Sequence, residues 1–125
     1  NNILMKDKSL YFGKLGEAKA VNYLESIGYK IINKSWRHHK SEIDIIARKG
    51  STLVFFEVKS RKNTILPIEE LISEAQKKRI IKAAHHFITS NEIDLNIRFD
   101  LIYIDASKKT AKLNHLKEFF SPDFD

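Results

Sequence analysis

Acidic residues and a lysine border apolar runs in two neighbouring stretches of the chain. The first stretch is Ser41-Glu-Ile-Asp-Ile-Ile-Ala47, and the second is Leu53-Val-Phe-Phe-Glu-Val-Lys-Ser-Arg61. Their content of Ile, Val and Phe predicts two strands. Side chains alternate between the faces of a strand, so Glu57 and Lys59 share one face. Together with Asp44 from the first strand, they are candidates for catalysis or metal binding.

The register of this hairpin decides which acidic residues meet. If Gly50-Ser51 forms the centre of a type II′ turn, the numbers of paired residues sum to 101. Asp44 then lies opposite Glu57, and Glu42 lies opposite Lys59. A turn placed one residue earlier would instead put Glu42 opposite Glu57.

Two opposed carboxylates repel each other, and burial would add a desolvation cost. A divalent cation between Asp44 and Glu57 would remove the conflict, and Mg²⁺ commonly takes one or two carboxylates and keeps its other waters. The alternative is a solvated strand end in which Glu42 and Lys59 form an ion pair worth under ~1 kcal/mol.

A helix is predicted before the strands, over about Ser9–Ile27, with Gly28 as its C-terminal cap. Helical spacing predicts a buried stripe of Tyr11, Leu15, Ala18, Val21 and Leu24.

Glu17 borders this stripe, where unpaired acids are rare. It is therefore either part of the site or bonded to a nearby lysine at a tight helix–sheet contact. Gly13 and Gly16 flank it and would allow a close approach of the helix backbone.

The remaining pattern alternates strands and helices. A short strand is expected over Tyr29–Asn33, a helix from the Ser73 capping box to Asn91, and a strand over Ile97–Ile104. Residues 110–120 are a weaker candidate for an edge strand. This order, α-β-β-β-α-β, predicts one α/β domain over residues 1–125, with a core at about 9–105 and peripheral segments at 1–8 and 106–125.

The composition excludes several classes of protein and favours one kind of partner. With no cysteine among 125 residues, the chain is no disulfide scaffold, zinc ribbon or thiol enzyme, and it suits a reducing, cytoplasmic setting. No apolar run approaches the ~18 residues of a membrane span, and no signal peptide is recognisable, so no membrane partner is expected. The net charge of +6 favours a polyanionic partner.

Four segments together resemble the YraN-like family of small bacterial proteins. They are Gly13-Lys-Leu-Gly-Glu17, the two hairpin stretches from Ser41 and from Phe55, and Arg98-Phe-Asp100, in the order and spacing of that family. The resemblance spans roughly residues 11–105. The family usually has Gly where Ser41 stands, and Lys-Gln where this chain has Gln76-Lys77.

The resemblance implies a restriction-endonuclease-like fold with a central mixed sheet flanked by helices, similar to archaeal Holliday junction resolvases. It also implies a nuclease site of the PD-(D/E)xK type. Asp44 and Glu57 would then hold Mg²⁺, or Mn²⁺ in its place, with the Val58 carbonyl. Lys59 would orient water or stabilise the phosphate, and Glu17 would be an additional helix carboxylate. The implied substrate is DNA, including branched or otherwise structured DNA, and resolvase-like relatives act as homodimers.

A basic run opens the second predicted helix, and two more basic residues follow the second hairpin strand. Either these are solvated surface charges or they contact phosphates: Arg61, Lys62, Lys77, Lys78, Arg79 and Lys82.

Other polar groups outside the hairpin are given structural roles. Arg98 and Asp100 are expected to form a structural ion pair. The adjacent pairs His38-His39 and His85-His86 do not have the spacing of a zinc site. Trp36 is expected to cover the sheet edge rather than stack on a base.

A binding module that keeps the nuclease fold without catalysis is the main alternative to an enzyme. A protein-interaction domain would leave Glu17 and Lys59 without a role.

Overall fold

The chain folds into a five-stranded mixed sheet between two helices. The computed structural model describes residues 8–63 and 66–122, with side chains from residue 13 onward. The predicted edge strand is present. The elements in chain order are α1 Lys8–Ser26, β1 Lys30–His38, β2 Ser41–Lys49, β3 Thr52–Arg61, a 3-10 turn at Ile68–Glu70, α2 Glu74–Ser90, β4 Asn96–Asp105 and β5 Lys112–Phe120.

The helix ends follow the predicted capping residues. Gly28 has φ +95° at the end of α1, its N–H donates to the Glu25 carbonyl, and the Tyr29 N–H donates to the Leu24 carbonyl. These two bonds form a Schellman motif, which needs the left-handed conformation that glycine adopts freely. Ser73 caps α2 by accepting the Gln76 N–H at 3.1 Å, and Asn91 follows its last residue.

Strand order in the sheet is the order in the chain, β1-β2-β3-β4-β5. Only β3 and β4 are parallel, and α2 lies between them in sequence. Strand β1 is longer than predicted and reaches His38, with a register irregularity between Ile31 and Asn33.

The β2–β3 hairpin has the predicted register. Lys49 pairs with Thr52 and Ile45 pairs with Phe56, so the turn residues are Gly50 and Ser51. Gly50 has φ +61°, whereas Ser51 does not have a positive φ, as a type II′ turn requires.

Alternation along β3 separates two apolar cores. Leu53 and Phe55 pack with residues of α2, whereas Val54 and Phe56 pack with Ala20 and other residues of α1. The two helices therefore cover opposite faces of the sheet.

The predicted buried stripe of α1 was wrong in part. Leu15 is 42% exposed and Ala18 is exposed, whereas Ala20 and Leu24 are fully buried. The side chain of Tyr11 lies outside the described residues. At Gly16 an added Cβ would come within 2.2 Å of the Ser60 hydroxyl, so the close approach predicted from the small residues occurs there. Gly13 has open space beside it.

Arg98 and Asp100 form the predicted ion pair, and a buried network extends it. Two guanidinium nitrogens of Arg98 donate to the Asp100 carboxylate at 2.8 and 2.9 Å. The His115 ring lies 2.7 Å from Asp100, and Arg98 also donates to the Tyr29 hydroxyl. Burial alone would raise the pKa of Asp100, but the bonds from His115 and Arg98 outweigh it and hold that pKa below its usual range. The network ties β5 to β4 and to Tyr29, which immediately precedes β1.

No helix within residues 8–63 and 66–122 is long and apolar enough to cross a membrane.

Candidate functional site

The backbone pairing of β2 and β3 stops immediately before Asp44 and Glu57. The last paired residues are Ile45 and Phe56. Beyond them, Oδ2 of Asp44 accepts the Val58 N–H at 2.8 Å, so a side chain replaces the next rung of the ladder. The N–H and C=O of one strand residue point to the same side, and the Val58 carbonyl therefore lies toward Asp44.

Asp44 and Glu57 are in direct contact. Burial is the main cause of a pKa of Asp44 raised to about 9, and the hydrogen bond and charge of Glu57 add to it, while the Val58 N–H opposes it. Glu57 is itself only 8% exposed. Without a cation, the Asp44–Glu57 pair thus shares one proton at neutral pH, because two carboxylates this close cannot both be ionised cheaply.

Gln76, at the start of α2, connects Glu57 to Lys59. Its amide nitrogen donates to Oε2 of Glu57 at 2.5 Å, and its amide oxygen accepts from the Lys59 ammonium at 3.3 Å. The capping box explains the backbone of Gln76 but not this side chain. The sequence prediction did not include Gln76 in the site. The signal for it was the Lys-Gln pair that the YraN-like family usually has where this chain has Gln76-Lys77.

Glu17 reaches the site from α1 on the other face of the sheet. It accepts a hydrogen bond from the Ser35 hydroxyl at 3.3 Å. The predicted alternative, a bond from Glu17 to a nearby lysine, was wrong. Burial is the main cause of its raised pKa, and the charge of Asp44 adds to it. Ser35 lies within β1 and has φ +49°.

Two hollows of about 290 and 260 Å³ meet at Asp44 and Glu57. The first opens toward α1 and β3, and the second toward α2 and the β1–β2 turn. We refer to both together as the cleft. The residues lining the first are Gly13, Glu17, Asp44, Glu57, Val58, Lys59, Ser60 and Arg61. Those lining the second include Lys40, Ser41, Glu42, Gln76 and Arg79.

The basic residues predicted to contact phosphates lie partly in the cleft and partly outside it. Arg61 and Arg79 line the cleft from opposite sides, and Lys62 is exposed just beyond β3. Lys78 and Lys82 are exposed on α2 and border an apolar groove of about 580 Å³ that carries almost no polar groups.

Lys77 lies apart from these cations. It is only 19% exposed, pairs with Glu74 at 3.0 Å and lies 6.0 Å from the Phe120 ring centre.

The predicted alternative pairing of Glu42 with Lys59 is wrong. Glu42 pairs with Arg37 of β1 at 3.4 Å, and Lys59 bonds to Gln76. Strand β1 lies on the other side of β2 and offers Arg37 directly opposite Glu42, which sequence spacing within the hairpin could not reveal.

The donor set suits a hydrated hard cation. Within the described part of the chain, no three His, Cys, Asp or Glu side chains converge as a closed metal cage. Mg²⁺ does not need one, because it keeps several waters and binds through one or two carboxylates. Asp44, Glu57 and the Val58 carbonyl provide such oxygens, and the raised pKa of Asp44 marks a place where a cation would relieve repulsion.

Comparison with known proteins identifies the family. The model of the uncharacterised protein family UPF0102 matches residues 16–104. A UPF0102 protein of Bacteroides thetaiotaomicron is 40% identical over 111 residues, which cover 88% of this chain and 92% of the relative. UPF0102 proteins of Flavobacterium psychrophilum and Christiangramia forsetii are 37% and 36% identical over 109 residues, covering 86% of this chain and 92% of each relative. The chain belongs to the UPF0102 family.

The UPF0102 match covers all of the cleft lining except Gly13. Glu17, Asp44, Glu57 and Lys59 all lie inside residues 16–104, and so does Gln76. Strand β5, which supplies His115 to the buried network, lies beyond the matched segment. The names of these UPF0102 relatives indicate no activity, so the function rests on the geometry of the cleft.

Proposed function

We propose that this UPF0102 protein is a divalent-metal-dependent endonuclease that hydrolyses phosphodiester bonds of DNA, with a site of the PD-(D/E)xK type. The observation that carries the proposal is the contact of Asp44 with Glu57 at the point where β2 and β3 stop pairing. A purely structural position would rarely keep two carboxylates in contact with a raised pKa while the nearby Lys59 ammonium bonds to Gln76.

Each side chain has a role that its position supports. Asp44, Glu57 and the Val58 carbonyl would hold Mg²⁺ or Mn²⁺, which would stabilise negative charge on the phosphate. Gln76 holds the Lys59 ammonium beside Glu57, so Lys59 can stabilise the phosphoryl oxygens without searching through rotamers. The pKa of Glu17 is raised by burial and then by the charge of Asp44. Glu17 is therefore placed to accept a proton or to orient water.

The basic side chains favour a nucleic acid as substrate. Arg61 and Arg79 lie on either side of the carboxylates, where they can bind the phosphates that flank the reacting one. Lys62, Lys78 and Lys82 extend the positive surface beyond the cleft. A preference for branched DNA and action as a homodimer follow from the resemblance to resolvases and belong to the same proposal.

Incubation of the protein with linear, flapped and four-way DNAs in Mg²⁺ or Mn²⁺ tests the proposal. We expect metal-dependent cleavage that EDTA stops and that Glu57→Ala abolishes. Glu25→Ala, an exposed acid on α1, is the matched control and should retain cleavage. Cleavage that persists in Glu57→Ala would remove Glu57 from the mechanism. Binding without cleavage under every condition would favour the alternative function, a nucleic-acid-binding module.

A further inference from the structure

Four aromatic rings, from β1, the β1–β2 turn and α2, meet at one end of the sheet. Trp36 and His38 come from β1, and His86 comes from α2. The His38 and His86 rings are stacked, with centres 3.8 Å apart and planes 18° apart. Trp36 lies nearly parallel to His38, at 6.2 Å and 8°, and His39 meets His38 edge-on. We call Trp36, His38 and His86 the ring stack.

Only part of the ring stack is explained by the core. Trp36 meets Phe87 edge-to-face at 5.2 Å, so it covers the edge of the α2 core as predicted. His86 is exposed and His38 is half-buried. These imidazoles bury little apolar area, and stacked rings point their nitrogens outward in parallel planes rather than toward a shared metal ion.

The surroundings of the ring stack are mainly basic. Lys82 is close enough to His38 to affect its charge, Arg37 is exposed near the end of β1, and Lys40 is exposed on the adjoining turn. Arg37 has an acidic partner, Glu42, which leaves Lys40 and Lys82 for an anion. A partner that combines flat rings with negative charge therefore fits this surface better than an acidic peptide or a lipid.

The ring stack is continuous with the cleft. His38 pairs with Ser41 across the β1–β2 turn, and Ser41 lines the cleft. On α2, Arg79, Lys82 and His86 have spacings of three and four residues and so share one face. At 1.5 Å per residue, His86 lies about 15 Å along the helix from Gln76. A strand whose phosphate occupied the cleft would reach the ring stack within a few nucleotides.

We propose that the ring stack is a platform on which an unpaired base of the DNA substrate stacks, beside the phosphodiester held in the cleft. The inference rests on the proposed function and names a substrate class: DNA with a single-stranded segment next to the cleavage position. Duplex bases present only their edges to a protein, whereas an unpaired base offers its flat face to aromatic side chains. Lys82 and Arg79 would contact the phosphates that lie between that base and the cleft.

Equilibrium binding in EDTA tests the inference apart from catalysis. Fluorescence anisotropy would compare a single strand, a blunt duplex of the same sequence and a flapped DNA. For the double variant His38→Ala/His86→Ala, which leaves Trp36 in place, we expect about 10-fold weaker binding of the single strand and the flap, equal to ~1.4 kcal/mol. Duplex affinity should change less than about twofold, since charge contacts are retained.

Two further variants separate stacking from charge and from misfolding. His86→Phe keeps a ring without a titratable nitrogen and should bind the single strand within about twofold of wild type. His85→Ala, an exposed neighbour on α2, is the matched control and should bind as wild type. Thermal melting of each variant shows whether the fold is intact.

The outcomes distinguish the two proposals. If the double variant binds single-stranded and flapped DNA as wild type does, or weakens equally on duplex, the platform is refuted while the nuclease stands. A His86→Phe variant as weak as the double variant would also refute stacking. If the wild type binds none of the three DNAs in EDTA and also cleaves none of them with Mg²⁺ or Mn²⁺, the proposed function itself has failed.

Discussion

Replacing Asp44 by Asn should stabilise the protein without metal at neutral pH, against the usual trend for buried polar residues. In the native state the pKa of Asp44 is raised from 3.8 to about 9, mainly by burial and then by Glu57. The unfolded chain releases this proton at pH 7, whereas the folded chain keeps it. An Asn side chain is neutral in both states and can still accept the Val58 N–H.

The size of the effect follows from the raised pKa. Each pH unit between 3.8 and 7 costs ~1.4 kcal/mol, so the native state loses up to about 4 kcal/mol relative to acid pH. Asp44 is partly exposed, and solvent screening reduces this to roughly 2 kcal/mol. For a domain of this size, that corresponds to a rise in Tm of roughly 6–10 °C.

Thermal melting with EDTA between pH 3 and pH 9 measures the effect. A raised pKa means that stability is full below the unfolded pKa and falls as pH rises toward the folded pKa. Wild type and Asp44→Asn should therefore melt alike below about pH 4, and the variant should gain with pH up to about 9. Asp94→Asn, the same change at an exposed position, is the control and should follow wild type.

Metal should reverse the order of the two proteins. An ion that binds only the native state adds ~2.7 kcal/mol at a hundredfold excess over Kd, and Asp44→Asn should lose most of that gain. A variant that melts below wild type in EDTA at pH 7 would refute the reasoning, because Asp44 would then act as a stabilising ionised acceptor.

Four more predictions test other parts of the structure. Asp100→Asn should destabilise by about 3 kcal/mol at pH 7, because it weakens a buried ion pair; since the pKa of Asp100 is lowered, the difference from wild type should shrink in melts below about pH 4. Lys59→Ala should abolish cleavage while leaving Tm nearly unchanged, and cleavage at the wild-type rate would limit Lys59 to bonding Gln76. Gly13→Ala should raise stability by about 0.5–1 kcal/mol in urea melts, as a helix interior with open space allows, whereas Gly16→Ala should lower it, because its methyl would lie 2.2 Å from the buried Ser60 hydroxyl, which would have to move. Replacing Lys78 and Arg79 by Gln should flatten the slope of log affinity for DNA against log salt by about two, and an unchanged slope would place the phosphate contacts elsewhere.

Local signals in the sequence determined much of the fold and the centre of the site. Gly28, Ser73 and Asn91 mark helix ends because capping depends on a few adjacent backbone groups. The Gly50-Ser51 turn sets the hairpin register, since a two-residue turn leaves no freedom in pairing. The meeting of Asp44 and Glu57 follows from that register alone.

Contacts between distant elements were decided only by the tertiary structure. The orientation of α1 could not be read because its small residues, Gly16 and Ala20, pack more closely on the sheet than the larger Leu15 would. Helical spacing predicts the buried face of a helix from the hydrophobicity of its residues. The face that is actually buried also depends on how closely its side chains allow the helix to approach the sheet.

The contacts of Gln76 in the cleft and the ring stack beside it were also decided only by the tertiary structure. Gln76 reaches Glu57 and Lys59 across 19 and 17 positions, and the ring stack joins His38 to His86. Each depends on how α2 lies across the strands, a placement set by the summed burial of Ile72, Ile80 and Phe87. No local rule encodes that docking, because it arises from many weak apolar contacts acting together.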